Sequence, residues 1–225
     1  RRRASHRSWE VPALHIGTAT EPAVSELLEQ VAASAAAEGA ERVFLRLRDD
    51  HEVIRAARVG GFFPCMWETL YQRPTSVASN VNGPLFDPEI RMRPTKPSDE
   101  YGLFRLYNAA TPASVRSLVA MTFDQWHASR EQCPGNREQQ VFEREDAIRG
   151  SLGTTISSSV GSLSAAIHPD DDALLPGLVD LGLHSLSTAR VVLCLVPEYQ
   201  VSLGRVLEGR GFEPIDQFVT LIKSS

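Results

Sequence analysis

The sequence is short of cysteine, and its charge has no strong excess of one sign. Its three cysteines, Cys65, Cys133 and Cys194, show no C-x-x-C spacing, so neither a disulfide framework nor a cysteine-based zinc site is expected. The six histidines lack the spacing of a metal site as well. A net charge of −5 gives no general attraction to nucleic acid or to an anionic membrane surface. We therefore expect no metal and no nucleic-acid partner.

Long hydrophobic runs and nucleotide motifs are missing too. No stretch approaches the roughly 18 apolar residues of a membrane helix, so no membrane partner is expected. The basic start is not followed by the apolar segment of a signal peptide, which favours a cytoplasmic location with reduced cysteines. The absence of Gly-x-Ser-x-Gly, P-loop and Gly-x-Gly-x-x-Gly motifs argues against hydrolase, nucleotidase and dinucleotide-binding classes.

The pattern of elements indicates helices packed on a sheet. The chain has 225 residues, 42% of them hydrophobic, which is enough for one large or two small cores. The first half is predicted to run β-α-β-α-β, with a helix after Pro22 and a strand within Val11–Gly17. From Ile90 the order is β-α-α-β-β-β-α-β-α-β, and its second helix is predicted as one long helix over Ser114–Glu131.

The best linker candidate lies between these halves. Residues 73–89 contain three prolines and the turn signal Asn82-Gly83, without any periodicity. We therefore predict a partial N-terminal domain at residues 1–73, a linker at 74–89 and a complete C-terminal domain at 90–225.

One segment near the end of the chain resembles another near its start. Arg190–Lys223 reads as a buried strand, a short amphipathic helix, a Gly-Phe turn and a second strand. Arg42–Gln72 repeats this order, and its Gly61-Phe62 step corresponds to Gly211-Phe212. One strand-helix-turn-strand unit is therefore predicted to occur twice.

The complete element order, together with these steps, resembles the acyl-CoA N-acyltransferase (GNAT) superfamily. The strongest local matches are AAIHP at Ala165–Pro169, before a helix, and VLEGRGFEP and AARVGGFFP before the last strands. The resemblance implies an α/β (α+β) class and a tandem GNAT-like fold. In that fold a mixed, mostly antiparallel central sheet is flanked by helices, and here the N-terminal copy is partial.

The resemblance also implies a function: transfer of an acetyl group from acetyl-CoA, as co-substrate, to a primary amine on a small molecule or peptide. Acetyl-CoA is then expected where two central strands splay apart. The cofactor-binding positions implied by the resemblance are Ala166, Ile167, His168, Asp172, Gly177 and Gln200. Asp170, Asp171 and Asp172 are expected to place three carboxylates at the phosphate-binding position, where like charges oppose a polyanion.

Catalytic residues are less clearly indicated. Leu207 and Ala57 stand where the family has a tyrosine that protonates the departing thiolate, and neither can transfer a proton. Glu143 and Tyr199 are weak candidates for acid-base roles. A catalytically inactive GNAT-like module that binds a ligand or partner therefore stays open as an alternative, as does a homodimer.

Overall fold

The computed structural model describes residues 8–11, 14, 20–49, 51–75, 88–120, 122–129 and 136–224. Nine strands lie within these ranges: β1 Ser8–Val11, β2 Arg42–Arg48, β3 Phe63–Pro74, β4 Arg91–Pro94, β5 Asn136–Arg144, β6 Ala147–Ser157, β7 Val160–Ile167, β8 Val191–Pro197 and β9 Glu213–Ser224. The helices are α1 Glu21–Ala37, α2 His51–Val59, α3 Glu100–Ala110, α4 Ala113–Val119, α5 Phe123–Ser129, α6 Leu175–Ser185 and α7 Val201–Gly209. A 3₁₀ segment, Pro169–Leu174, precedes α6.

The predicted element order is confirmed in the first half, and in the second half it holds except for the second helix, which is divided into two. The first strand begins earlier than predicted, at Ser8, and most of the predicted strand after Val11 lies outside the described residues. The predicted linker also lies largely outside them, and so does Cys133. In the described part of the chain, no helix is long and apolar enough to cross a membrane.

The predicted long helix over Ser114–Glu131 is wrong, because the structure has two short helices there. Thr122 and Gln125 form a reciprocal cap at the start of α5: the Gln125 amide donates to Thr122 Oγ1 over 3.2 Å, and the Thr122 amide donates to Gln125 Oε1 over 3.3 Å. Arg42 Nη1 donates to the carbonyl of Val119, the last residue of α4, over 3.1 Å. Both new helix ends are thus satisfied, so the break is stable.

The chain forms two compact units built from separate segments. The first comprises Arg1–Glu68, Ser114–Gln132 and Asp216–Ser225, and the second comprises Thr69–Ala113 and Cys133–Ile215. Most of the last strand, β9, therefore belongs to the first unit. The division predicted from the sequence, at residues 73 and 89, stays a prediction.

The first unit has the strand order β1-β2-β9-β3. β1 is parallel to β2, whereas β2 is antiparallel to β9 with Leu45 opposite Leu221. The apolar faces of α1 and α2 bury Leu28 and Ala57 completely against this sheet's core. Ser25 Oγ joins the two helices by donating to the Ala56 carbonyl over 2.8 Å.

The second unit has the strand order β3-β8-β7-β6-β5-β4. β4 to β7 are antiparallel neighbours, and β7 is parallel to β8, as the mixed, mostly antiparallel sheet of the prediction requires. Its core contains the fully buried Phe142, Leu178 and Leu207. Cys194 also lies there, and burial raises the pKa of its thiol to about 12.

The two Gly-Phe steps have the same local geometry. Gly61 and Gly211 both have a φ of 81°, the left-handed conformation that glycine adopts without strain. The amide of Phe62 donates to the Ala57 carbonyl over 2.9 Å, and that of Phe212 donates to the Leu207 carbonyl over 3.0 Å. Each glycine thus ends a helix and directs a buried phenylalanine into the core of its unit.

Candidate functional site

The parallel pairing of β7 and β8 stops before either strand ends. Their register runs from Val160 opposite Val191 to Leu163 opposite Cys194. β7 continues to Ile167 and β8 continues to Pro197. The two strands therefore separate beyond Leu163, in the centre of the second unit's sheet. A splay of this kind leaves one backbone edge of β7 unpaired with β8.

A cleft of about 200 Å³ opens at this separation, and we call it the splay cleft. It is bounded by the end of β7, the 3₁₀ segment, the start of α6, the turn into α7 and the last residue of α3. The lining residues are Ala110, Ala165, Ile167, Pro169, Asp172, Leu175, Tyr199, Gln200, Val201, Ser202 and Leu203. Apart from Asp172, the lining is uncharged.

The predicted cofactor residues divide into two groups. Ile167, Asp172 and Gln200 line the splay cleft together with Tyr199. Ala166 is on β7 between two residues that line it, so strand alternation turns its side chain to the other face of the sheet. Gly177 lies in the first turn of α6 and His168 at the end of β7, and neither lines the cleft.

Asp172 carries the formal charge of the splay cleft. Its Oδ2 accepts a hydrogen bond from Ser202 Oγ over 2.6 Å, which fixes the carboxylate between the 3₁₀ segment and α7. Asp172 is exposed, so its charge faces water at the mouth of the cleft.

Asp171 points away from the cleft, so the expectation of three carboxylates facing a ligand is wrong at this residue. Its side chain is 2% exposed and accepts hydrogen bonds over 2.6 Å from both Arg144 Nη1 and Arg149 Nε. Arg149 also lies 3.5 Å from Asp170, whose side chain is 77% exposed. The partners of Asp171 come from the β5–β6 hairpin, so this carboxylate joins the hairpin to the 3₁₀ segment.

His168 caps the 3₁₀ segment. Its Nδ1 accepts a hydrogen bond from the Asp170 amide over 3.3 Å. The residue also lines a separate, more polar cavity of about 330 Å³ together with Arg105, Glu143 and Asp146. A role in cofactor binding stays a prediction.

Glu143 lies on that separate cavity rather than on the splay cleft. Its carboxylate accepts hydrogen bonds from Arg93, and Arg93 also donates to both oxygens of Asp99 over 2.6 and 2.8 Å. These hydrogen bonds raise the pKa of Arg93, and they lower the pKa of the Asp99 carboxyl against the opposing effect of burial. Glu143 is thus a member of a buried ion-pair network, and its predicted role as base stays a prediction.

Tyr71 was not singled out in the sequence, yet it lies beside the start of α7. Its hydroxyl donates to Glu208 Oε1 over 3.2 Å. Burial, and to a smaller extent this hydrogen bond, raise the pKa of Tyr71. A Cβ atom at Gly204 would come within 3.1 Å of the hydroxyl, so glycine allows the close approach. Tyr71, Gln200 and Glu208 line a further cavity of about 210 Å³. The only signal in the sequence was a glycine inside a helix.

The positions that correspond to the family's tyrosine hold core residues in both units. Leu207 and Ala57 are completely buried, and each accepts the backbone hydrogen bond of the following phenylalanine turn through its carbonyl. Neither side chain reaches a cleft. Within the described residues, no group of three or more His, Cys, Asp or Glu side chains could hold a metal ion.

No protein-family model matches the chain, and no curated protein matches it. Solved structures do. A functionally unknown conserved protein from Staphylococcus epidermidis aligns over 92% of this chain and 81% of its own, with 8% identity and a TM-score of 0.61. A tandem GNAT protein from the clavulanic acid biosynthesis pathway aligns over 97% of this chain and 75% of its own, with 13% identity and a TM-score of 0.60.

A GCN5-related N-acetyltransferase from Sphaerobacter thermophilus is also similar. It aligns over 89% of this chain and 68% of its own, with 17% identity and a TM-score of 0.55. At these identities the likeness concerns the backbone fold alone, and it agrees with the element order. The chain therefore has the fold of the GNAT superfamily, in its tandem form.

Proposed function

We propose that the protein is an N-acyltransferase that moves an acyl group, with acetyl as the first to test, from a pantetheine thioester to a primary amine. The observation that carries the proposal is the separation of β7 and β8 beyond Leu163, with a cleft lined by both ends. Fold alone does not establish a reaction, so the argument rests on the chemistry of this cleft.

The unpaired edge of β7 supplies hydrogen-bonding groups. β7 continues from Ser164 to Ile167 without a paired residue on β8 in the described part of the chain. Its free amides and carbonyls can pair with the amides of a pantetheine arm, as an added strand would. An amide that donates to the thioester carbonyl also stabilises the oxyanion formed when the amine nitrogen attacks.

The reaction needs two proton movements. The attacking amine loses a proton as its nitrogen bonds to the carbonyl carbon, and the sulfur takes one up as the carbon–sulfur bond breaks. Tyr199 lies on the splay cleft and is the candidate donor to sulfur. Holding the two reactants in contact supplies much of the rate enhancement in this mechanism.

Leu207 and Ala57 favour a second candidate, a module that binds a thioester without transferring its acyl group. Both residues are buried apolar side chains where the family has its acid. This alternative uses the same cleft, so binding alone does not separate the two functions and turnover does.

The test combines a binding assay with a turnover assay. Acetyl-CoA and S-acetyl-pantetheine are each added to the full chain, and the free energy of unfolding is measured; a ligand at about 100 Kd raises it by about 2.7 kcal/mol. Thiol release is then followed with a panel of free amino acids, polyamines and peptides. Amine-dependent release supports transfer, whereas stabilisation without release supports the binding module.

A matched pair of variants locates the site. Ala165→Leu places three extra carbon atoms in the cleft and should abolish the stabilisation. Ala36→Leu adds the same atoms on the exposed face of α1 and should leave it unchanged. If neither thioester stabilises the native chain, the proposed function is wrong.

A further inference from the structure

We infer that the splay cleft takes acyl-pantetheine thioesters whose arm carries no diphosphate, in preference to acetyl-CoA. The inference rests on the proposed function and specifies its donor. It is drawn from the 3₁₀ segment and its neighbours, at the position where the family resemblance implies phosphate binding. Four observations support it.

First, three of the amides that follow β7 are already used inside the protein. Pro169 has no N–H, the Asp170 amide donates to His168 Nδ1 over 3.3 Å, and the Asp171 amide donates to the His168 carbonyl over 2.9 Å. The amide of Leu175 donates to the Asp172 carbonyl. An anion site at the start of a helix needs free N–H groups, so these groups are not available to phosphate.

Second, the two guanidinium groups that contact Asp171 of this segment are paired with its carboxylate. Arg144 and Arg149 both donate to the buried carboxylate of Asp171 over 2.6 Å. Capture of either arginine by a diphosphate would leave that carboxylate buried and short of a partner, which is a costly state. The two cations therefore serve the hairpin and the 3₁₀ segment rather than a ligand.

Third, the charge at the mouth of the cleft has the wrong sign for a diphosphate. Asp172 lines the cleft and is fixed by Ser202 Oγ over 2.6 Å. None of the described residues that line the cleft is Lys or Arg. A diphosphate there would meet a carboxylate without a compensating cation, and like charges across an interface oppose binding strongly.

Fourth, the rest of the cleft fits an uncharged arm. Its walls include Ala165, Ile167, Leu175 and Leu203, with the amide of Gln200 as a polar partner. A volume of about 200 Å³ is below the roughly 300–1,000 Å³ of pockets that enclose a whole drug-sized ligand. The cleft thus accommodates a slender chain with amide groups, which is the chemistry of pantetheine.

Two sources share this chemistry: free pantetheine thioesters and the phosphopantetheine arm of a carrier protein, which has one phosphodiester. The experiment is calorimetric titration of the full chain with S-acetyl-pantetheine, S-acetyl-4′-phosphopantetheine, acetyl-CoA and an acetylated carrier protein. We expect S-acetyl-pantetheine to bind at least about tenfold more tightly than acetyl-CoA, a difference of about 1.4 kcal/mol. Tighter binding of the carrier protein than of S-acetyl-pantetheine assigns the arm to a protein source, and the reverse assigns it to a free one.

Charge variants test the physical cause. Asp172→Asn should raise the affinity for acetyl-CoA several-fold and change that for S-acetyl-pantetheine by less than about twofold, since only the former carries the diphosphate. Asp170→Asn, at a carboxylate that does not line the cleft, should change neither. Added salt should reduce the disadvantage of acetyl-CoA, because it screens charges at an exposed mouth.

The failures are distinguishable. Tighter binding of acetyl-CoA than of S-acetyl-pantetheine overturns this inference and leaves the acyltransferase proposal standing. Binding of no thioester at all overturns the proposed function, and this inference with it. If Asp172→Asn raises the affinity for both thioesters equally, the proposed effect of the Asp172 charge on the diphosphate is wrong.

Discussion

The two strand-helix-turn-strand segments, Arg42–Gln72 and Arg190–Lys223, share their turn and differ in their surroundings. In both, a left-handed glycine ends the helix and a phenylalanine enters the core. In each, the first strand pairs in parallel over four residues with an earlier strand, β2 with β1 in the first unit and β8 with β7 in the second. Within the described residues, a 3₁₀ segment held by the β5–β6 hairpin precedes the second segment, which contributes Tyr199–Leu203 to the lining of the splay cleft. The turn therefore belongs to the architecture, and the candidate chemistry depends on what surrounds it.

The largest effect is expected from removing the shared phenylalanine. Phe62→Ala and Phe212→Ala should each lower the free energy of unfolding by about 3–5 kcal/mol, because both side chains are buried and leave a cavity. Phe63→Ala removes a ring that is 61% exposed and should change it by less than about 0.5 kcal/mol. Urea unfolding measures the unfolding free energy of all three variants. A large loss of stability for only one of Phe62→Ala and Phe212→Ala would show that the two turns are not equivalent.

The second-largest effect is expected from the buried carboxylates, which have different partners in the two units. Glu68 in the first unit accepts hydrogen bonds from Arg46 Nε over 2.8 Å and from Thr220 Oγ1 over 2.6 Å, whereas Asp171 in the second binds two guanidinium groups. Breaking a buried ion pair costs about 3–5 kcal/mol. The loss of unfolding free energy for Asp171→Asn should fall in that range and exceed the loss for Glu68→Gln, because two cations lose their counter-charge.

Asp170→Asn is the control for this comparison, since that side chain is 77% exposed. Its unfolding free energy should stay within about 0.5 kcal/mol of the native chain. A cost for Glu68→Gln equal to or above that for Asp171→Asn would contradict the prediction.

The pH dependence of stability provides a third test, specific to the second unit. The pKa of Asp99 is lowered in the folded chain, chiefly by its hydrogen bonds to Arg93. A lowered folded pKa means that the stabilisation is fully present above the unfolded value, about 3.9, and is lost as the pH falls through the lower folded value. Asp99→Asn should therefore destabilise the chain at pH near 7 and progressively less in acid below about pH 4.

Unfolding of both proteins across this range checks the sign. Asp146→Asn, at an exposed carboxylate in the β5–β6 turn that lines the same cavity as Asp99, serves as the control and should follow the native profile. A difference between Asp99→Asn and the native chain that grows in acid would be incompatible with the Arg93 pairing.

The smallest effect concerns the helix break in the first unit. Thr122→Ala removes the hydroxyl that caps α5 and should cost about 1 kcal/mol. Ser114→Ala, an exposed hydroxyl in α4, should cost less than about 0.5 kcal/mol. Equal values for the two variants would mean that the cap contributes nothing to stability.

Local patterns made much of this fold predictable. The periodicity of α1 and the Gly211-Phe212 step carried enough information to place the elements, because both depend on neighbours in sequence. The break at Thr122 was visible as a T-x-x-Q cap but was outweighed by the apolar periodicity around it. Local signals therefore explain why the helices and strands could be predicted and also why α4 and α5 were predicted as one helix.

The site was less predictable because its partners are distant in sequence. The family resemblance named Ile167, Asp172 and Gln200 as cofactor-binding positions, and all three line the splay cleft. The orientation of Asp171, in contrast, depends on Arg144 and Arg149, 27 and 22 residues away. Nothing in a run of three aspartates tells which of them is buried. Only the packed hairpin makes that distinction.

The membership of β9 in the first unit has a consequence for how the chain is made. Leu45 on β2 pairs with Leu221 on β9, 176 residues later (221 − 45), while Ser157 pairs with Val160 in the β6–β7 hairpin. Non-local pairings form slowly, and domains generally fold in the order of synthesis. On the ribosome, the hairpins of the second unit can close at once. The apolar edge of β2 must wait for β9 to emerge, so a nascent chain passes through a stage in which that edge is open to association with other chains.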